Sequence, residues 1–325
     1  MLTFCHAPQS WRPTGSAVAR SHAGQAAKAG KSITEVNMRL STSLPLATYL
    51  LVANLIFPAW AETVTETVAQ VEAKLGGRVG IVLQQQGAAP AAEHRPDERF
   101  PLASTFKALV CGAVLAKVDA GEEDLSRTIL YGPEALVTYS PVTEKHAGRG
   151  MTVGDLCDAT ITLSDNTAGN LLLDSIGGPE GLTDFLRRTG DAVTRLDRWE
   201  PELNQALPGD QRDTTSPRAM LATMERLLFS DLLTPASRAQ LEKWMIADQV
   251  ADELIRASLP EGWTIGDKTG AGERGSRSIV AVIRPPYGDP WLAAIYLTGN
   301  EADLKTRNDA IAKIGAAMVE TIKAQ

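Results

Sequence analysis

The chain has 325 residues, 44% of them hydrophobic and 22% charged, which supplies apolar material for one large core or two smaller ones and excludes a disordered chain. Its net charge of −7, with no basic stripe, excludes nucleic acid as the expected partner. The four histidines (His6, His22, His94 and His146) are scattered and the three cysteines lie far apart, so no metal centre is expected.

Met38-Arg39-Leu40 leads into an apolar segment over 44–59 that closes on Ala59-Trp60-Ala61 before Glu62. A basic head, an apolar stretch and a small-x-small site are the parts of a secretory signal peptide, here 38–61. Pro45, Asn54 and Pro58 break the segment too often for a comfortable membrane span, so a secreted or periplasmic protein with no stable membrane partner is expected. Residues 1–37 are polar and rich in Ala, Gly and Ser. They read as an extension upstream of a natural start at Met38.

After Glu62, the spacing of Val64, Val68, Val71 and Leu75 predicts an amphipathic helix stopped by Gly76-Gly77. The β-branched run over 78–84 predicts a strand. Pro101 then approaches Ser104, and from Phe106 to Val118 only Lys107, Gly112 and Lys117 interrupt an apolar run. Ser104 thus opens a helix buried nearly all round. Unpaired backbone N–H groups and the positive end of the helix dipole lie beside such a serine, and Lys107 shares its face one turn later. Taken alone the pair is weak, since serine is a common N-cap and the spacing arises by chance.

Helical patterns joined by polar loops continue to about Met245, so residues 103–245 are expected to form an all-helical domain. Cys111 lies in the buried helix and Cys157 in one that opens near Val153. In an exported protein they are a disulfide candidate, contributing about 4 kcal/mol in the chain-entropy model, with Cys5 left over. Strand patterns return at 263–268, 277–283 and 291–297, with Pro285-Pro286-Tyr287-Gly288-Asp289-Pro290 as a turn. A last helix carries Leu304, Ile311, Ile314, Met318 and Ile322 on one face. The simplest assembly is an α+β sandwich, classed α/β: residues 62–102 and 246–325 build one antiparallel sheet flanked by the terminal helices, and the helical domain is inserted between them. A crevice between the two halves is a usual place for a site.

Four short motifs fall in order: Ser104-Thr105-Phe106-Lys107, Ser164-Asp165-Asn166, Glu200-Pro201-Glu202-Leu203-Asn204 and Lys268-Thr269-Gly270. A serine at its free pKa is a poor nucleophile and needs a base in reach. Lys107 qualifies if burial and nearby positive charge lower its pKa. Ser164 can relay a proton to a leaving nitrogen. Lys268 and Thr269 can hold a carboxylate, and Arg277 on the neighbouring strand adds a planar cation. A carboxylate such as Glu200, held by Asn204, can drive water onto a serine ester.

In this order, in an exported chain of this length, the motifs resemble the class A serine β-lactamases. The resemblance covers nearly all of the mature chain, including Tyr139-Ser140-Pro141-Val142-Thr143-Glu144-Lys145-His146, Arg195-Leu196-Asp197-Arg198-Trp199-Glu200 and Ala271-Gly272-Glu273-Arg274-Gly275-Ser276-Arg277. It implies a five-stranded sheet and a monomeric enzyme without cofactor that hydrolyses the β-lactam amide of penicillins and some cephalosporins. The ring would open onto Ser104, and Glu200 would activate the deacylating water. Either Lys107 or Glu200 would serve as the acylation base. Ser104 and Ala271 would supply the oxyanion-hole amides. Asn166, Asn204, Lys268, Thr269, Gly270, Ala271, Arg277 and Tyr139 would contact the substrate, while Arg198 and Asp213 would pair to brace the Glu200 loop.

Lys268 stands where carboxypenicillin-favouring penicillinases carry Arg, and Ala103 and Gly272 lack the cysteine pair of many class A carbapenemases. A penicillin-preferring enzyme of limited spectrum is therefore implied. Two rivals share the other motifs. A D-alanyl-D-alanine peptidase or penicillin-binding protein would lack the Glu200 element. A penicillin-sensing binding domain would call for membrane spans and an output segment, whereas Gln325 follows the last helix directly.

Overall fold

A computed structural model describes residues 62–325 of the chain. The signal segment over 38–61, the extension and Cys5 lie outside the described residues. Helix α1 (Val64–Leu75) starts on a capping box, in which the Thr63 hydroxyl accepts from the Glu66 amide at 3.2 Å and the Glu66 carboxylate accepts from the Thr63 amide at 3.0 Å. It ends at Gly76, whose φ of 72° is open to glycine at no steric penalty.

Strands β1 (Arg78–Gln85), β2 (Pro90–His94), β7 (Thr264–Ala271), β8 (Arg277–Arg284) and β9 (Trp291–Thr298) form a five-stranded sheet in the order β2-β1-β9-β8-β7. Every neighbouring pair is antiparallel, and β1 runs against β9 from Arg78 opposite Thr298 to Gln85 opposite Trp291. Ile81, Ile279 and Ile295 face α1 and the last helix, α8 (Leu304–Lys323), while Val82, Val280 and Ala294 face the helical layer. Covering both faces explains why these strands read as continuous apolar runs. The edge strand β2 has no fully buried residue, so it carries no hydrophobic signal and escaped the pattern reading.

The helical layer surrounds α2 (Phe106–Asp119), in which all ten residues from Phe106 to Leu115 are buried. Packed around it are α3 (Val153–Thr162), α4 (Asn166–Ser175), α5 (Gly178–Arg188) and α7 (Pro235–Ile246), while α6 (Pro217–Phe229) bridges to the sheet. Cys111 of α2 and Cys157 of α3 form a disulfide with Cα atoms 5.7 Å apart. Two features differ from the pattern reading. Ser104 sits in a 3₁₀ turn, Ala103–Thr105, just ahead of α2 rather than in its first turn. The strand carrying Lys268 extends to Ala271, placing Lys268-Thr269-Gly270 within it instead of at its end.

Two-residue ladders interrupt the helical stretch. β4 (Thr128–Ile129) pairs with β5 (Met151–Thr152), and β3 (Phe100–Pro101) pairs with β6 (Thr214–Thr215). The second ladder, with a bridge from Arg195 to Thr214, closes the neck of the loop that carries Glu200 and fastens it beside the chain entering Ser104. The Leu102 amide adds a bond to the Asp213 carbonyl at 2.8 Å.

Candidate active site

Three segments converge on Ser104. Strand β7 lies against the turn so closely that a Cβ on Gly270 would stand 2.6 Å from Ser278 Oγ and 3.0 Å from the Ser104 amide nitrogen, so only glycine fits. The loop leading into α4 presents Ser164 and Asn166, and the loop between Leu196 and Asp213 presents Glu200 and Asn204. Ala103, Tyr139 and Ser164 have φ angles of 43°, 63° and 57°, a region sparsely populated by non-glycine residues. The surrounding contacts hold them there. For example, Asp165, the N-cap of α4, takes the amides of Val142, Thr143 and Ala168 and the Thr143 hydroxyl.

Lys107 is the centre of the polar network. Its Nζ donates to the Ser164 carbonyl at 2.8 Å and to Asn166 Oδ1 at 2.5 Å, approaches Ser164 Oγ at 3.4 Å, and pairs with Glu200 Oε1 at 3.2 Å. Neither side chain of that ion pair is exposed. Burial pulls the Lys107 pKa below its usual value, and the Glu200 carboxylate is the main influence opposing it. The neighbour that tunes this lysine is therefore an anion, not the cation invoked from the sequence.

Ser104 Oγ donates to the same Glu200 oxygen at 3.4 Å. Asn204 Nδ2 donates to Glu200 Oε2 at 2.5 Å, while Asn204 Oδ1 is buried without a partner. Asn170 clamps the Glu200 backbone from both sides, giving Nδ2 to its carbonyl and accepting its amide, each at 2.9 Å. Arg198 and Asp213 pair as expected, Nε to Oδ2 at 2.6 Å, and the other Asp213 oxygen takes the amides of Asp197 and Arg198.

Across the cleft, Lys268 Nζ donates to Ser164 Oγ at 3.1 Å and to the Thr269 carbonyl at 3.0 Å. The Ser164 hydroxyl thus lies between two ammonium groups. Burial, with Lys107 and Arg277 nearby, lowers Lys268 to about 8 although Asp248 pulls the other way. Arg277 Nη1 donates to the Gly270 carbonyl at 3.0 Å and its Nε to Asn308 of α8 at 2.8 Å, and burial lowers it to about 10.

The cleft between these groups holds about 390 Å³ and is lined by Ser104, Tyr139, Ser164, Asn166, Asn204, Thr269, Gly270, Ala271 and Arg277, together with Val250, Leu304 and Asn308. Tyr139 is half exposed at its mouth. The cleft is thus lined by all the candidate catalytic and binding residues read from the sequence except Lys107, Glu200 and Lys268, which connect to it through the bonds described. Sequence reading missed Asn170 and Asn308. The first lies one helical turn beyond Asn166 on α4, and that spacing was the available signal. Among the described residues no three His, Cys, Asp or Glu side chains are grouped to hold a metal ion.

Chemically, the arrangement offers a hydroxyl facing two candidate bases, a carboxylate whose second oxygen is fixed, and two cations, Lys268 and Arg277, on adjacent strands beside the cleft. Residues 63–322 match the β-lactamase enzyme family. Among solved structures, an ancestral class A β-lactamase shares 54% identity over 79% of this chain and 99% of its own, with a TM-score of 0.77. The class A β-lactamase of the last common ancestor of Gram-negative bacteria shares 54% over 80% of this chain and 99% of its own, with a TM-score of 0.78.

Proposed function

Because the chain belongs to the class A β-lactamases, we propose that it hydrolyses the amide of penicillins, and of some cephalosporins, by a two-step serine mechanism. Family membership supports a β-lactam hydrolase and the fold that goes with it; the substrate preference and residue roles that follow are our reading. The observation that carries the reading is the position of Glu200, whose Oε1 lies 3.4 Å from Ser104 Oγ and 3.2 Å from Lys107 Nζ while Asn204 fixes the other oxygen.

Ser104 attacks the lactam carbonyl and its proton passes to Lys107 or Glu200. The Ser104 and Ala271 amides take the developing oxyanion. The ring nitrogen leaves with a proton relayed through Ser164, which touches both Lys107 and Lys268. The substrate carboxylate sits against Lys268, Thr269 and Arg277, and its side-chain carbonyl against Asn166. Glu200 and Asn204 then position water on the ester, with Glu200 accepting its proton. A peptidase or a penicillin sensor has no need of that last element, so Glu200 favours turnover over trapping. Export through the 38–61 signal would place the enzyme outside the cytoplasm, as a monomer that confers antibiotic resistance.

A chromogenic cephalosporin assay on the mature protein tests the activity, and intact-mass spectrometry after a slow β-lactam tests the intermediate. One adduct, mapped to Ser104, is expected. An adduct persisting in Ser104→Ala would overturn the mechanism.

A further inference from the structure

A carboxylate outside the cleft reaches the arginine assigned to the substrate through a single intermediary. Arg277, 6% exposed, donates from Nη1 to the Gly270 carbonyl at 3.0 Å and from Nε to Asn308 Oδ1 at 2.8 Å. With those two nitrogens engaged, Nη2 is the one left to meet an incoming anion. Asn308, 8% exposed, uses its other end on Glu253, its Nδ2 donating to Oε2 at 2.9 Å. Glu253 lies in the turn between α7 and the 3₁₀ segment Ile255–Ser258 and is itself exposed. A carboxylate only accepts and a guanidinium only donates, whereas a side-chain amide has one end of each kind.

We propose that Glu253 is a positioning residue: by holding the Asn308 amide in one of its two orientations, it keeps the Arg277 guanidinium aimed to receive a penicillin carboxylate. The consequence for substrate rests on the reading above, in which Arg277 takes that group.

Reversing the amide would set Asn308 Nδ2 against Arg277 Nε, two donors, and Oδ1 against the Glu253 carboxylate, two acceptors. Asn308 and Arg277 are both buried, so water cannot readily relieve the first of these clashes. The backbone under Glu253 is seated independently of its side chain. Leu254 and Ile255 are buried in the same core cluster as Ile311 and Ile314 of α8, and a Cβ on Gly315 would stand 3.0 Å from Ile255 Cα. The Glu253 side chain can therefore be changed with the turn in place. Its charge acts in the opposite sense to its orienting bond. Burial lowers Arg277, Asp248 is the strongest anion opposing that, and Glu253 adds to the opposition. As a bare anion Glu253 would compete with a substrate carboxylate, so orientation and charge predict opposite signs when it is replaced.

Penicillin kinetics on three variants separate the two effects. Glu253→Ala should lower kcat/KM about 2–12-fold, the scale of one ordinary hydrogen bond. Glu253→Gln, whose side-chain carbonyl still accepts from Asn308, should stay close to the parent. Glu253→Lys, which puts a donor opposite Nδ2 and favours the reversed amide, should fall furthest. Burst amplitude and the rate of acyl-enzyme breakdown should stay parental in all three, because Ser104, Lys107 and Glu200 are untouched. A kcat/KM at or above the parent in Glu253→Ala or Glu253→Lys, or a Gln variant no better than the Ala variant, would overturn the proposal. The Arg277 Nε–H resonance in NMR spectra, identified by its absence from Arg277→Ser, reports the orientation with no substrate present. It should move in the Ala and Lys variants and hold in the Gln variant; a signal unmoved in all three would also overturn the proposal. If it moves as expected while Arg277→Ser keeps the parental kcat/KM, the positioning of Arg277 stands and the carboxylate reading beneath it falls.

Discussion

Replacing Glu200 with alanine removes one carboxylate and strands one ammonium, and the two effects can be measured separately. In the parent, Glu200 Oε1 lies 3.2 Å from Lys107 Nζ with neither side chain exposed, and 3.4 Å from Ser104 Oγ. Loss of a general base is typically about 10²–10⁴-fold, so Glu200→Ala should give a burst of about one equivalent of product and then a steady rate lower by at least that factor. Leaving a buried charge unpaired costs about 3–5 kcal/mol of stability unless Lys107 gives up its proton. Burial already depresses that lysine, and Glu200 is the main influence that holds it up, so the variant depresses it further. A lysine whose folded pKa lies below its unfolded value binds fewer protons when folded. The stability of Glu200→Ala should therefore be lowest in mild acid and recover as pH rises toward the ordinary lysine value. Rapid-quench kinetics with a penicillin and urea unfolding across that pH range are the assays. Parental turnover would remove the deacylation role, and a stability deficit that ignores pH would refute the argument about the stranded ammonium.

Other outcomes follow from the same geometry. Arg277→Ser should lower kcat/KM for penicillins by about 10–150-fold, since a hydrogen bond to a charged group contributes about 1.5–3 kcal/mol; an unchanged value across several penicillins would mean no contact. The mature protein should contain no thiol that alkylates without reduction, and Cys111→Ser with Cys157→Ser should lower unfolding free energy by about 4 kcal/mol in urea titrations. Asp213→Ala, which removes the acceptor of Arg198 and of two backbone amides, should expose the loop between Leu196 and Asp213 to limited proteolysis and slow deacylation more than acylation. Equal protease resistance in parent and variant would show that the brace is dispensable. Asn204→Ala should reduce turnover less than Glu200→Ala, because it positions the water without taking its proton.

What could be read from the sequence was whatever repeats with a period or falls at a short fixed spacing. The buried strands β7, β8 and β9 announce themselves through apolar runs, and α2 through the lack of a polar face. The edge strand β2 does not, because exposure on one side and only partial cover on the other leave it no apolar pattern. Ser104 and Lys107 are three residues apart and visible together. Asn170 and Asn308 serve partners 30 and 31 residues away through loops and strands, so no local pattern ties them to Glu200 or Arg277. The tuning of Lys107 was misjudged for the same reason: its dominant neighbour, Glu200, lies 96 positions beyond Ser104 and is brought in by a loop whose path the sequence does not specify.

The pairing of β1 with β9 joins the two ends of the described chain, Arg78 lying opposite Thr298. During synthesis the sheet cannot close until its last strand has been made, and until then β7 has no fixed platform from which to bring Gly270 against Ser104. Contacts between such distant positions slow folding, since the intervening chain must be ordered before they form. The order of strands in the sheet thus acts as a clock, because the surface that carries Gly270 to Ser104 is complete only once β9 has been made and lies between β1 and β8.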